Sequence, residues 1–233
     1  MPTPPESRSQ ALRDGVRDSV PVWLAVVPFA AVFGALAVQA GWTPGQALLA
    51  SGTIYAGASQ YVALDLWGRA TAPWVIVLTV FAVNFRHVLY SASIGRRMRG
   101  WPWWHRAVCF ALMVDPAFAA ADLRARTHGL TIRYFLGYSL SLWVVWMAAN
   151  AAGVFFGGLI TDPAAFGLDF ILPIYFLGLV VAMRGASRFF GIVAVSALVA
   201  VAVQVLVGSP WHILSGGAAG MLYAALRTPK APA

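Results

Sequence analysis

The chain has 233 residues, 60% of them hydrophobic and only 10% charged, with a mean hydropathy of +0.74 and a formal net charge of +8. Soluble domains carry about 25% charged residues, so this composition excludes a water-soluble globule and describes an all-α integral membrane protein. One cysteine, Cys109, excludes an intrachain disulfide and sits in an apolar run where packing is its expected role.

Residues 1–19 read as a cytoplasmic N-terminal segment carrying Arg8, Arg13 and Arg17. The first apolar run, 20–38, follows it. A cleaved leader ending at Ala35-Leu36-Ala37 is the alternative reading, but the apolar core exceeds the roughly 7–15 residues such leaders use. Further apolar segments are 45–66, 73–95, 106–121, 134–159, 169–184, 189–207 and 211–226, followed by a cytoplasmic tail at 227–233. Residues 20–226 are thus one polytopic helical bundle of about 6–8 membrane segments, each near the length a bilayer requires.

Charge placement orients the chain. The arginines gather in short loops: Arg96, Arg97, Arg99 and Arg106, then Arg124, Arg126 and Arg133, then Arg184 and Arg188, then Arg227 with Lys230. The opposite loops, 39–46, 161–168 and 208–212, hold no Lys or Arg. This is the positive-inside pattern rather than a nucleic-acid stripe, and it puts both termini in the cytoplasm. Trp101, Trp103 and Trp104 beside the arginines fit an interfacial aromatic belt.

Eight simple crossings would put Arg96, Arg97 and Arg99 outside, against the strongest basic cluster. Two segments are therefore expected to be broken or re-entrant. The candidates are 45–66, interrupted by Gly52 and Gly57, and 106–121, which is short and contains Asp115-Pro116. Irregular backbone at membrane depth survives only where protein or water satisfies it, and secondary transporters use such breaks to build midplane sites. A proline kink serving packing alone is the plainer reading.

Polar side chains concentrate on the same segments. Arg86 and His87 lie inside an otherwise uncharged run, and an arginine at mid-bilayer costs about 2.5–3.5 kcal/mol on insertion scales, which makes it a functional candidate. At helical spacing Asn84, His87 and Ser91 share one face, and Arg86, Tyr90 and Ser93 share another. Neither face suits lipid, so this helix should be contacted on two sides.

In the second segment Ser51, Tyr55 and Ser59 recur at every fourth position, with Gln60 adjacent; a Ser/Gly packing seam is the simpler account, but a buried amide has four hydrogen-bond positions to fill. Asp115 is the one carboxylate well inside a predicted span, and Arg86 is its natural partner, either as a permanent structural pair or as one that opens for a solute. His87 is either a core histidine or a proton carrier.

Other signals are weaker. Gly153–Gly157 and Gly216–Gly220 match a helix-packing pattern, within the chain or with another subunit, and Asn150 reads as a satisfied interior amide. No phosphate loop, HExxH, GxSxG or cysteine pair is present, so neither an enzyme, a metal nor a cofactor is expected.

Four stretches together resemble the AzlC family of branched-chain amino acid permeases: Gly15–Pro21, Tyr55–Gln60, Arg86–Tyr90 with Ser91, and Asp169–Pro173. The resemblance implies a transporter of the bacterial cytoplasmic membrane that exports valine, leucine, isoleucine or methionine, driven by protons, with a small AzlD-type membrane subunit as partner. The chain departs from the family at Val114-Asp115-Pro116-Ala117, where a second acidic residue commonly follows Asp115, and at Asn84, where some relatives carry an acid.

The expected substrate-binding residues are Tyr55, Ser59, Gln60, Asn84, Arg86, His87 and Asp115, with Phe81, Phe85 and Leu89 around the apolar tail. Arg86, or a half-helix N-terminus near Tyr55–Gln60, would hold the carboxylate, and Asp115, Asn84 and Gln60 the ammonium. A passive channel or facilitator for small amphoteric solutes is the alternative function.

Overall fold

A computed structural model describes residues 8–68, 71–157, 188–208 and 211–226, together with residues 170, 174, 177–178, 180–181 and 184–185. These are helical throughout their ordered elements. In chain order they are α1 (Arg8–Gln39), α2 (Pro44–Ile54), α3 (Gly57–Gly68), α4 (Pro73–Ile94), a 3-10 turn (Gly95–Met98), α5 (Trp103–Ala111), α6 (Asp115–Thr127), α7 (Ile132–Phe156), α8 (Phe189–Leu206) and α9 (Trp211–Leu226). Among the described residues, four stretches are long and apolar enough to cross a bilayer: Ser9–Gln39, Pro73–Met98, Ile132–Phe156 and Phe189–Leu206. The chain is a multi-pass membrane protein.

The expected elements hold for α4, α7, α8 and α9, whose bounds follow the apolar runs closely. The expected short first segment is corrected: α1 begins at Arg8, not near residue 20, and carries Pro21 and Pro28 inside it. Each proline withdraws one backbone donor, so the carbonyls four residues earlier, at Arg17 and Leu24, must look elsewhere. Both suspect segments are broken, at Tyr55–Ala56 and at Leu112–Val114. The stretch Asp169–Pro173 lies outside the described residues except for Phe170.

The chain divides into two compact units, residues 1–64 with 84–162, and residues 65–83 with 163–233. In the first, α1 and α7 meet backbone to backbone. A Cβ placed on Gly34 would strike the Asn150 carbonyl, and one on Gly153 the Ala31 carbonyl. In lipid no hydrophobic force drives helices together, so close van der Waals packing at small residues carries the association. The Gly153–Gly157 pattern is therefore an intrachain seam, with Gly157 against Ala35.

Asn150, fully buried in that seam, donates to the Ala30 carbonyl at 3.4 Å, while its Oδ1 has no partner among the described residues. The expectation of a satisfied amide is thus only half met. Cys109 is buried as packing. In the second unit α8 and α9 form an antiparallel hairpin in which Gly216 rests on Ser196 and Ala200.

Candidate functional site

The first break is built around Tyr55. α2 starts with a complete capping box, Thr43 with Gln46, and Pro44 in its first turn. It stops because Tyr55 adopts φ 38°, ψ 47°, the left-handed region where glycine is the usual helix terminator. A tyrosine there is strained by about 1–2 kcal/mol, so its surroundings must hold it. They do: its ring is buried edge-on against Trp146 at 6.3 Å, and its N–H still reaches the Ser51 carbonyl at 3.3 Å.

α3 then restarts at Gly57, where any Cβ would collide with the rings of Phe29 and Trp146. Behind the break Phe29 stacks on Tyr61 at 4.7 Å, and Tyr61 donates to the Phe29 carbonyl at 2.7 Å. Gln60, 1% exposed, sends Nε2 back to the carbonyls of Ala50 and Ser51 at 3.3 and 3.1 Å. Trp146 Nε1 donates to Ser51 Oγ at 2.8 Å. Gln60 and Trp146 thus tie the last turn of α2 to α3 and α7.

The second break delivers Asp115. α5 ends at Ala111, Val114 is extended, and Asp115-Pro116 opens α6. Proline suits a first helical turn because its missing N–H would have had no helical partner there. A carboxylate at the same end gains about 0.3–1 kcal/mol from the helix dipole.

Between the breaks, α4 offers the two polar faces expected of it, and both are engaged. On one, Ser59 Oγ of α3 donates to Asn84 Oδ1. On the other, Arg86 Nη1 lies 3.1 Å from Asp115 Oδ2 and Tyr90 Oη donates to Asp115 Oδ1 at 2.7 Å. Tyr90 stacks on Phe118 of α6 at 4.3 Å, which fixes its hydroxyl. The pair is not sealed: the Arg86 side chain is 23% exposed and Asp115 14%. Arg86 Nε is buried and has no partner among the described residues. His87 Nδ1 is 3.1 Å from the Asn84 carbonyl on its own helix, and the ring also meets the Met113 backbone at the second break.

The expected site residues are therefore brought together in part. Ser59 joins Asn84, and Arg86 joins Asp115; Gln60 and Tyr55 turn toward α2 and α7 instead. Ser51, Tyr55 and Ser59 do not form one helical stripe, because the break at Tyr55 resets the register. Phe81, Phe85 and Leu89 are exposed by 63%, 42% and 54%. Phe29, Tyr61 and Trp146 form a buried aromatic cluster beside the first break. The site residues expected from the sequence omit Tyr90, although its place four residues after Arg86 signals a shared partner. Among the described residues no group of three or more His, Cys, Asp or Glu side chains gathers as a metal site would require.

A second ionic cluster joins α1, α6 and α7. Arg124 Nη2 lies 3.6 Å from Asp14 Oδ2 and its guanidinium covers the Tyr134 ring at 4.7 Å. Tyr134 donates to Asp18 Oδ2 at 2.9 Å.

Comparison with known proteins places this geometry. The family described as AzlC protein matches residues 21–160, which include both breaks and α4. The inner membrane protein YgaZ of Escherichia coli is 31% identical over 97% of this chain and 95% of its own length. An uncharacterized membrane protein of Archaeoglobus fulgidus is 32% identical over 65% of each chain, and one from Helicobacter pylori 28% identical over 72% of this chain and 73% of its own. No solved structure matches the chain.

Proposed function

We propose, from the premise that this chain belongs to the AzlC family of membrane proteins, that it is a secondary transporter exporting hydrophobic, branched-chain amino acids across a bacterial inner membrane. The observation that carries the reading is the Arg86–Asp115 pair, incompletely covered by protein where the second helix break meets α4. A buried ion pair is weak as a stabilising device, because desolvation offsets much of its attraction. It is well suited to a zwitterion. Arg86 can pass from Asp115 to a substrate carboxylate while Asp115 takes the ammonium, so each charge keeps a partner throughout.

The apolar tail supplies selectivity of class rather than of identity. Each buried methylene contributes about 0.8 kcal/mol, which separates leucine from alanine but not from isoleucine. In this reading the proton gradient drives export. A small AzlD-type subunit completes the transporter, and both termini lie in the cytoplasm.

The test is export of leucine and valine from cells expressing the chain with and without that subunit. Arg86→Gln should abolish efflux while the protein still inserts, and unchanged efflux would refute the role given to Arg86. Efflux that persists when an ionophore collapses the proton gradient would replace the exporter with a passive facilitator.

A further inference from the structure

The first break contains an acceptor that the exchange at Arg86 does not use. Gln60 is 1% exposed and its Nε2 is committed to two carbonyls, those of Ala50 and Ser51. Turning the amide over would set Oε1 against both oxygens, so the orientation is fixed by the backbone. Oε1 then points away and meets no donor among the described residues. The hydroxyl of Tyr55, at the break itself, is likewise buried without a partner among them.

The surroundings decide what can meet these oxygens. The break follows the carbonyl end of α2, which carries the negative end of its dipole, and the carbonyls of Gly52 to Ile54 lack the N–H groups that a continuing helix would bring. Oε1 is itself an acceptor, so an anion is disfavoured on it even though the N–H end of α3 opens at the same break. From Ala50 to Gln60 there is no carboxylate and no histidine. A divalent ion needs carboxylate ligands, whereas neutral oxygens suit a monovalent charge.

We propose that the α2–α3 break is a receptor for a small monovalent cationic group, held by Gln60 Oε1 beside the carbonyl end of α2. Two sources share that chemistry, a free alkali ion and the ammonium of an amino acid. The second rests on the transport reading above; the first does not.

The experiment follows thermal unfolding of the purified full chain in detergent. Sodium and potassium chloride are compared with choline chloride at matched ionic strength, and 3-methylbutylammonium with 3-methylbutanoate, the two charged halves of a leucine-like solute. Sodium, potassium or the amine should raise the melting temperature, and choline and the carboxylate should not act through this site. Gln60→Met should lose the cation response, and Gln60→Glu should shift half-saturation about tenfold lower.

Protection by an alkali ion without amino acid assigns a free ion; protection by the amine alone assigns the substrate's ammonium. Absence of any cation-specific shift in the wild type overturns the proposal, as does an unchanged half-saturation in Gln60→Glu, which decides the matter even if the Met variant does not fold. Normal efflux in Arg86→Gln would sink the transport reading while leaving the alkali-ion result standing.

Discussion

Tyr90 donates its hydroxyl to one oxygen of Asp115 at 2.7 Å while Arg86 faces the other at 3.1 Å, so a single turn of α4 saturates the carboxylate that opens α6. In the proposed exchange the phenol keeps Asp115 in place while Arg86 turns to a substrate. Tyr90→Phe preserves the ring stack on Phe118 and removes only the hydrogen bond. A hydrogen bond to a charged group contributes about 1.5–3 kcal/mol, so efflux should fall roughly tenfold or more while expression is maintained. Wild-type efflux in this variant would leave the hydroxyl without a role in transport.

The pair at Arg86 and Asp115 is either a fixed clasp or a working one, and reversing it separates the two. Asp115→Asn leaves the guanidinium without its counter-charge and should lower both stability and efflux. Truncating one partner of a fully buried pair costs about 3–5 kcal/mol, and the incomplete cover of these side chains makes the loss here smaller. The double exchange Arg86→Asp with Asp115→Arg should restore melting temperature but not transport, since the positive charge then sits at the start of α6 rather than on α4. Recovery of both would make the pair structural.

Gly153 lies where α7 touches the Ala31 carbonyl of α1, and no side chain fits there. Gly153→Val should separate the helices that frame the first unit. Overpacking costs about 1–3 kcal/mol, visible as a lower melting temperature in detergent, with a loss of efflux that follows the loss of folded protein. A valine at Gly45, where a Cβ meets nothing within 4 Å, is the matching control and should leave both unchanged.

These contrasts show what could be read before any coordinates. Composition gives the membrane class, and the basic loops forced two broken segments because helices alternate sides. Helical spacing placed Asn84 and Arg86 on different faces of α4, and each face found a partner. The reach of α1 back to Arg8 was hidden, because the hydropathy that marks a span says nothing of a polar helix leading into it. The fate of Tyr55 was hidden too. A residue held at φ 38° by Trp146, 91 positions away by sequence number, depends on tertiary packing that no local pattern records.

α6 is tied at both ends, by Asp115 to α4 and by Arg124 to α1 and α7, roughly 13 Å apart along its axis. If export requires α6 to move when the first clasp opens, the second must yield or pivot with it. The Arg124–Asp14 contact at 3.6 Å is long and partly exposed, so as an ion pair it contributes at most about 1 kcal/mol. Stacking of the guanidinium on Tyr134 adds about 0.5–1 kcal/mol. Arg124→Lys keeps the charge but loses the planar face, and Arg124→Gln loses both. Melting temperature should drop little in either variant. Efflux should rank wild type above Lys above Gln, with the Gln variant down several-fold. Equal efflux in all three proteins would mean that α6 carries substrate past Asp115 without its far end being held, and the strut would then be packing alone.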